Sequence, residues 1–175
     1  MSVNLFGSQF RADDLVAKVR HALAHAGLAA EALELEITEN IIQDQDDTVL
    51  EPLRQLRNLG VGIAFDDYGT AYASLSLLKR VPLTRLKIDR SFVDAMPDSP
   101  EDAAIVRAIL YLGKSFGLAV IAEGVETEAQ RAQLCRKGCR EGQGYLFGKP
   151  MSAKAFGCRF GLEPAYRGRV AGGGD

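Results

Sequence analysis

The sequence has little of what marks a membrane protein, a disulfide-stabilised protein or a zinc site. No stretch approaches the roughly 20 apolar residues of a membrane-spanning helix, and the start, MSVNLFGSQF, lacks the cationic and long apolar regions of a signal peptide. The three cysteines form no even-numbered framework, and CRKGC lacks the C-x-x-C spacing of a zinc or redox site. We therefore predict buried, reduced thiols and a cytoplasmic location, whether or not a parent protein is anchored to a membrane.

An excess of charge of one sign is also absent. The formal net charge is -2, from 21 Lys and Arg against 23 Asp and Glu, and the basic residues are spread along the chain. Proteins that follow a nucleic-acid backbone carry a basic stripe, so we predict no DNA or RNA polymer as a partner. Hydrophobic residues make up 47% of the chain, which suits one globular domain with a sizeable core.

Apolar runs with β-branched residues recur along the chain, and helical stretches separate them. Six such runs are strand candidates: VNL at the start, LELEIT at 33–38, VGIAF at 61–65, LTRLKI at 83–88, LAVIAE at 118–123 and QGYLF at 143–147. Glycines that can adopt positive φ are predicted to end the helices between them, at Gly27, Gly60, Gly117 and Gly138. Strict alternation of strand and helix predicts a parallel sheet, either doubly wound or closed into a barrel.

Polar residues at nearly every strand end favour the barrel, because an open sheet concentrates its site at one switch point. A barrel needs eight strands, and the first candidate here already begins at residue 3. We therefore expect an α/β TIM-like barrel whose first strands precede Met1. We place the partial domain at 1–162 and a flexible, glycine-rich tail at 163–175.

The side chains that follow parallel strands converge on one rim of a barrel. Here that rim would collect Asn4, Glu36 with Glu39, Asp66 with Asp67, Lys87 with Asp89, Glu123 with Glu126, and Gln143. Crowded carboxylates repel one another unless a cation lies among them. Oxygen ligands without His or Cys favour Mg²⁺ or Mn²⁺, and two such ions can activate water for phosphoester cleavage while a lysine offsets charge.

Simpler interpretations exist for each residue taken alone. The Asp66-Asp67 pair could start a turn, and Lys87 could extend along the barrel towards solvent. His21 and His25 have the i, i+4 spacing of a metal pair, but they lie on an outer helix with no carboxylate beside them, so we predict no metal there. The metal interpretation is favoured at the rim because acidic residues follow four strands in succession.

Six motifs in register resemble the EAL domain of bacterial cyclic-di-GMP phosphodiesterases. They are VNL, LEITE, FDDYGTAYASL, LKIDRSFV, VIAEGVET and QGYLFGKP, and the resemblance extends from about Ser2 to Met151. It implies a TIM-like barrel with one antiparallel strand that hydrolyses cyclic di-GMP to linear pGpG. It also implies activity with Mg²⁺ or Mn²⁺, inhibition by Ca²⁺, a homodimer, and sensory or diguanylate-cyclase domains in the parent protein.

The resemblance also implies roles for individual residues. Metal ligands are implied at Asn4, Glu36, Asp66, Asp67 and Glu123, with Asp67 on the second metal. Lys87 resembles the lysine that contacts the nucleophilic water, so Lys87, Asp67 and Glu123 are the candidate catalytic residues. Gln143 resembles a polar contact to the site, and Asp89 and Glu126 resemble supporting acids. Glu39 matches a glutamate that anchors the loop after the Asp-Asp strand.

Two departures from the family pattern affect the functional prediction. The Glu-Ala-Leu strand that gives the family its name has no counterpart, because the string at 31–33 directly precedes LEITE and lies in the wrong place. The loop after Asp67 has Ala71 and Ala73 where the common pattern has Gly and Ser. Phosphodiesterase activity is the leading hypothesis. There are two alternatives. One is a receptor that holds cyclic di-GMP or a protein partner without hydrolysis, and the other is a different metal-dependent barrel such as an enolase-like lyase.

Overall fold

The strands form a single parallel sheet. The computed structural model describes residues 1–10, 14–39, 41, 50–70 and 75–161. In this part of the chain six strands run, in order, β1 Ser2–Asn4, β2 Glu34–Ile37, β3 Gly62–Tyr68, β4 Arg85–Ile88, β5 Ala119–Ala122 and β6 Glu141–Gly142. Each strand pairs in parallel with the next one along the chain, in the order β1-β2-β3-β4-β5-β6.

This strand order distinguishes a barrel wall from a doubly wound sheet. A doubly wound sheet reverses direction at a switch point, whereas here every crossover advances by one strand in the same direction. Because such crossovers are right-handed, all helices lie on one face and the sheet curls around the other. The predicted barrel-type fold is confirmed, and the antiparallel strand that the resemblance implies is not among the six described strands.

Helices occupy the outer face. Their bounds are α1 Gly7–Phe10, α2 Leu15–Ala26, α3 Leu50–Asn58, α4 Leu75–Arg80, α5 Arg90–Ala95, α6 Pro100–Phe116, α7 Glu128–Arg136 and α8 Ala153–Phe160, with a 3₁₀ turn at Ala30–Ala32. The glycines predicted to end helices, Gly27, Gly60, Gly117 and Gly138, all have positive φ, at 63°, 103°, 69° and 91°. Among the described helices, none combines the length and apolar composition needed to cross a bilayer.

The core lies between the sheet and the helices. Leu35, Ile63 and Leu86, from three adjacent strands, are at most 2% exposed, and Leu53 and Leu56 of α3 are fully buried. Because side chains alternate along a strand, their neighbours in sequence point to the inner face of the curled sheet. Glu36, Arg85 and Lys87 therefore lie on the inner face, together with small or apolar residues such as Ala64 and Ile121.

The sixth strand differs from its prediction. QGYLF was expected to be a strand, but β6 stops at Gly142, and the chain turns so that the Phe147 amide donates to the Gly144 carbonyl over 3.1 Å. At Gly144 the backbone packs so closely on Val125 that an added Cβ would lie 2.2 Å from its carbonyl oxygen. This contact diverts the chain from the sheet.

The structure bears on one of the two departures from the family pattern. The Glu-Ala-Leu string begins in the 3₁₀ turn Ala30–Ala32, at the opposite end of β2 from Glu36, so Glu31 does not reach the rim. Ala71, Ala73 and the tail at 163–175 lie outside the described residues.

Candidate metal centre

Charged residues form two layers inside the curled sheet. The lower layer is centred on Arg85, whose Nε lies 2.7 Å from Glu34 Oε2 and whose guanidinium also pairs with Glu141. The Ser2 hydroxyl donates to Glu34 over 3.1 Å, so this layer reaches from β1 to β6. Since strand side chains alternate, the residue two positions after Arg85 points to the same face one layer higher, and that residue is Lys87.

The upper layer gathers three carboxylates around Lys87. Its Nζ lies 2.6 Å from Glu36 Oε2, 2.8 Å from Asp66 Oδ1 and 2.7 Å from Glu123 Oε1, and the residue is only 4% exposed. Burial alone would lower the pKa of this ammonium, but its hydrogen bonds to Asp66, Glu123 and Glu36 raise it. Lys87 is therefore a fixed positive charge that holds carboxylates from β2, β3 and the end of β5 together.

A bulge in β3 brings a second aspartate to this layer. Phe65 pairs with Leu86 and Tyr68 pairs with Ile88, so two residues of β3, Asp66 and Asp67, stand opposite Lys87 alone. Asp67 has φ of 53°, and it is the one described non-glycine residue with positive φ. In a regular strand the two aspartates would point to opposite faces, and the bulge removes that alternation.

The Asp67 carboxyl is held in an unfavourable electrostatic environment. Burial, repulsion by Asp66 and Asp89, and a hydrogen bond with Asp89 raise its pKa, although Lys87 opposes the shift. Burial would also raise the pKa of Asp89. Hydrogen bonds from the hydroxyl and the backbone amide of Ser91 outweigh burial and keep this pKa below its usual value. The bond from the Ser91 amide is 2.9 Å long. The two neighbouring carboxyls are thus shifted in opposite directions.

Glu123 shows the same excess of negative charge. Burial raises the pKa of its carboxyl, with further contributions from Asp66 and Glu36, while the hydrogen bond and charge of Lys87 oppose the shift. One ammonium does not compensate all the acids around it. A cation beside Asp67 would relieve this repulsion.

The donor set fits a hard divalent cation. One oxygen each from Asp66, Asp67 and Glu123 lies within 4.8 Å of the others, and no His or Cys belongs to this group. Carboxylate oxygens suit Mg²⁺ and Mn²⁺, whereas zinc sites prefer nitrogen and sulfur. These three residues are the ones that could hold such an ion.

The remaining predicted residues occupy several positions around the rim. Asn4 is at the exposed end of β1 and pairs in register with Glu36. Gln143 directly follows β6, and its backbone N–H donates to the Ala122 carbonyl over 2.8 Å. Glu39 is buried and close enough to Tyr68 to raise the pKa of that phenol, whose burial acts in the same direction.

Glu126 contacts a residue that the sequence did not single out. Its carboxylate lies 2.8 Å from Arg90 of α5, and its backbone amide donates to Gln130 over 2.8 Å. The Thr127 hydroxyl accepts from the backbone N–H of Gln130, and the Gln130 side chain accepts from the backbone N–H of Thr127. The two bonds form a capping box at the start of α7. The TEAQ string carries that signal in sequence, but nothing in the sequence marks Arg90.

The sheet and its inner layers define a parallel α/β-barrel domain whose rim gathers carboxylates around a buried lysine. The model of the EAL domain family matches residues 1–150. The chain belongs to the EAL domain family.

Curated relatives are similar over most of this chain. It is 47% identical over 154 residues to MucR, a bifunctional diguanylate cyclase/cyclic di-GMP phosphodiesterase of Pseudomonas aeruginosa, covering 88% of this chain and 22% of MucR. It is 45% identical over 155 residues to NbdA, a cyclic di-GMP phosphodiesterase of the same organism, covering 89% of this chain and 20% of NbdA. The chain thus spans about a fifth of the length of these relatives.

Solved structures share the fold. The MucR phosphodiesterase in complex with c-di-GMP superposes with a TM-score of 0.83 at 47% identity, over 89% of this chain and 63% of that one. Klebsiella pneumoniae BlrP1, solved with manganese and cyclic di-GMP, has a TM-score of 0.79 at 33% identity, over 85% of this chain and 38% of BlrP1.

Proposed function

We propose that this chain forms the greater part of a metal-dependent phosphodiesterase that hydrolyses cyclic di-GMP to linear pGpG. The observation that carries the proposal is the position of Lys87, bonded to Glu36, Asp66 and Glu123 with Asp67 alongside. Relatives that are named cyclic di-GMP phosphodiesterases, and structures that hold that nucleotide, support the choice of substrate.

Asp66, Asp67 and Glu123 would hold Mg²⁺ or Mn²⁺, with Asn4 and Glu36 as further ligands. Such an ion acts as a Lewis acid on a phosphoryl oxygen and lowers the pKa of a bound water. Lys87 keeps three carboxylates in place and supplies a permanent positive charge close to the reacting phosphate. Its three carboxylate partners favour the charged form, which suits Lys87 to electrostatic support of the site.

Asp67 and Asp89 form a hydrogen-bonded carboxyl pair beside the proposed metal site. Burial and repulsion by Asp66 raise the pKa of Asp67, whereas hydrogen bonds from Ser91 outweigh burial and lower the pKa of Asp89. A cation at Asp67 would favour the ionised carboxylate, since a metal ligand must be deprotonated. As the family resemblance implies, Gln143 would contact the site, and Asp89 and Glu126 would support its ligands.

Further features of the whole protein belong to the same proposal. A pair of metal ions and a homodimer follow from the family resemblance, and a cytoplasmic location follows from the sequence prediction. The names of two relatives, a bifunctional diguanylate cyclase/phosphodiesterase and an oxygen sensor protein, support additional cyclase or sensory domains in the parent protein. The division of the chain into a partial domain at 1–162 and a tail at 163–175 also belongs to this proposal.

The direct test is chromatographic detection of pGpG after incubation with cyclic di-GMP and Mg²⁺ or Mn²⁺. The 175-residue chain is compared with a version that carries about two further βα units before Met1, because a complete barrel has eight strands. Glu123→Gln, which preserves shape but removes the charge of a candidate ligand, should lower activity at least about 100-fold.

Glu128→Gln is the matched control. Glu128 is a carboxylate on the outside of α7 that pairs with Arg131 and is 66% exposed, so its loss should leave turnover unchanged. Formation of pGpG that depends on Glu123 supports the proposal. If both lengths bind the nucleotide yet form no pGpG with either ion, the phosphodiesterase proposal is wrong and a receptor role is favoured.

A further inference from the structure

The segment that follows Glu123 is packed between two other parts of the chain. The Glu123 amide donates to the Ile88 carbonyl over 3.1 Å, which is the last sheet bond on that side of β5. The next residue, Gly124, has φ of 66°, and a Cβ there would lie 2.2 Å from Cγ of Arg90. The aliphatic part of the Arg90 side chain therefore lies directly on the Gly124 backbone.

The opposite side of this segment is equally close-packed. At Gly144 an added Cβ would lie 2.2 Å from the carbonyl oxygen of Val125 and 2.3 Å from its amide nitrogen. The Val125 amide donates to the Gln143 carbonyl over 3.0 Å, and the Leu146 amide donates to the Val125 carbonyl over 3.0 Å. Residues 124 and 125 are thus held between Arg90 on one side and the turn after β6 on the other.

Polar contacts fix the Arg90 side chain over this segment. Its Nε lies 2.9 Å from Asp94 and its terminal nitrogen lies 2.8 Å from Glu126. Gln130 donates to Asp94 over 3.1 Å and accepts from the Glu126 amide, which closes a ring of contacts between α5 and the start of α7. The ring is anchored in the interior at Gln130, which is only 6% exposed.

We propose that Arg90 is a positioning residue for the metal centre, acting through the contact of its aliphatic stem with Gly124 to set where Glu123 points. The ion pairs described for Arg90 join it to Asp94 and Glu126, neither of which is a candidate metal ligand. Its influence passes through one peptide, because Gly124 directly follows Glu123. The inference rests on the proposed function for its catalytic consequence, but the metal affinity that it predicts is measurable without turnover.

The stem and the charge of Arg90 should contribute unequally. Its ion pairs lie at a side chain that is 55% exposed, where water and salt weaken them. The stem contact is a close approach of carbon to backbone that no solvent can replace. A variant that keeps the stem and loses the charge should therefore behave much like the wild type.

The experiment measures Mn²⁺ affinity by calorimetry and turnover of cyclic di-GMP for three variants. Arg90→Ala should weaken Mn²⁺ binding and lower kcat by about 10-fold each, with KM little changed. Arg90→Met keeps the stem and should stay within about fivefold of the wild type. Arg131→Ala is the matched control, because Arg131 also pairs with an acid on a helix surface but lies away from Gly124.

The energetic coupling between Arg90 and Gly124 gives a second test of their contact. Gly124→Ala alone should weaken Mn²⁺ binding, because its Cβ collides with the Arg90 stem. Combining it with Arg90→Ala removes the Cγ at 2.2 Å and the Cδ at 2.8 Å but keeps the Arg90 Cβ at 2.7 Å, so the collision is relieved in part. The double variant should therefore lose less affinity than the product of the two single losses. Circular dichroism confirms that each variant is folded.

Three results would overturn the inference. Equal Mn²⁺ affinity in Arg90→Ala and Arg131→Ala would show that Arg90 does not position the ligands. Equal losses in Arg90→Met and Arg90→Ala would assign the effect to charge instead of the stem, and a strictly additive double variant would exclude the contact with Gly124. If no version of the protein forms pGpG, the proposed function fails while the affinity data still decide the role of Arg90.

Discussion

Asp66 and Asp67 stand side by side opposite Lys87, because the bulge in β3 places two residues against one residue of β4. The geometry requires a positive φ of 53° at Asp67 and brings together carboxylates that repel each other. Backbone strain and charge repulsion coincide at Asp67. Such a combination is typical of a ligand site, because a bound cation relieves the repulsion.

Substitution of Asp67 should separate the destabilising effect of backbone strain from that of charge repulsion. Asn tolerates positive φ and removes the repelled charge, so Asp67→Asn should unfold at a higher urea concentration than the wild type when no divalent cation is present. Ala tolerates positive φ poorly, so Asp67→Ala should be about 1 kcal/mol less stable than Asp67→Asn. Both variants should bind Mn²⁺ more weakly. Equal stability of the two variants would contradict a positive φ at this position.

Loss of the Lys87 charge should destabilise the whole domain. Lys87→Met leaves Glu36, Asp66 and Glu123 buried without their common partner, and breaking a buried ion pair of this kind costs about 3 kcal/mol. The matched control is Lys18→Met, which removes an exposed i, i+4 pair with Asp14 and should change stability by less than about 0.5 kcal/mol. Urea unfolding measures both, and equal effects would contradict the burial of Lys87.

Gly144 should tolerate alanine worse than a glycine at an ordinary helix end. Gly144→Ala places a Cβ 2.2 Å from the Val125 carbonyl oxygen, whereas at Gly117 no neighbouring atom lies within 4 Å and only the φ of 69° is unfavourable. We expect Gly144→Ala to cost about 2 kcal/mol more than Gly117→Ala in the free energy of unfolding. A smaller loss at Gly144 would mean that the turn after β6 moves freely away from Val125.

Cys139 should make stability depend on alkaline pH. Burial raises the pKa of its thiol, although hydrogen bonds with the backbone at Glu141 and Ala122 partly oppose the shift. Above about pH 8.5, the usual thiol pKa, the unfolded chain loses a proton that the folded chain retains, so stability falls as pH rises further. Cys139→Ala should remove this slope between pH 7.5 and about 9.5, below the usual tyrosine pKa of about 10 at which Tyr68 adds a slope of its own. Urea unfolding over that range measures it.

Cys135 and Cys158 are exposed, so the sequence prediction of buried thiols is wrong for these two cysteines. Cys158 can therefore act as the control for the pH dependence assigned to Cys139. Cys158→Ala should leave the alkaline slope unchanged. Iodoacetamide at pH 8 should modify Cys135 and Cys158 in the folded protein and reach Cys139 only after unfolding, which mass spectrometry can follow. Modification of Cys139 at the rate of the exposed thiols would contradict its burial.

Much of the fold could be predicted because it is encoded locally. Apolar β-branched runs, stopping glycines and acids after the strands predict the alternation of strand and helix and the convergence at one rim, and five of the six predicted strand positions are confirmed. The sixth failed because QGYLF has strand composition, while the close approach of Gly144 to Val125 diverts it. That contact joins two strand ends, so no local pattern contains it.

The sequence by itself determined which residues could form the site: a lysine between two apolar neighbours, paired aspartates after a buried strand, and glutamates at two other strand ends. Only the tertiary structure decided how they meet. The bulge that turns Asp66 and Asp67 to the same side, the three carboxylates bonded to Lys87, and the Arg90 stem on Gly124 are all relationships between strands. Periodicity specifies the face on which a side chain lies, whereas register and packing against distant segments specify its partners.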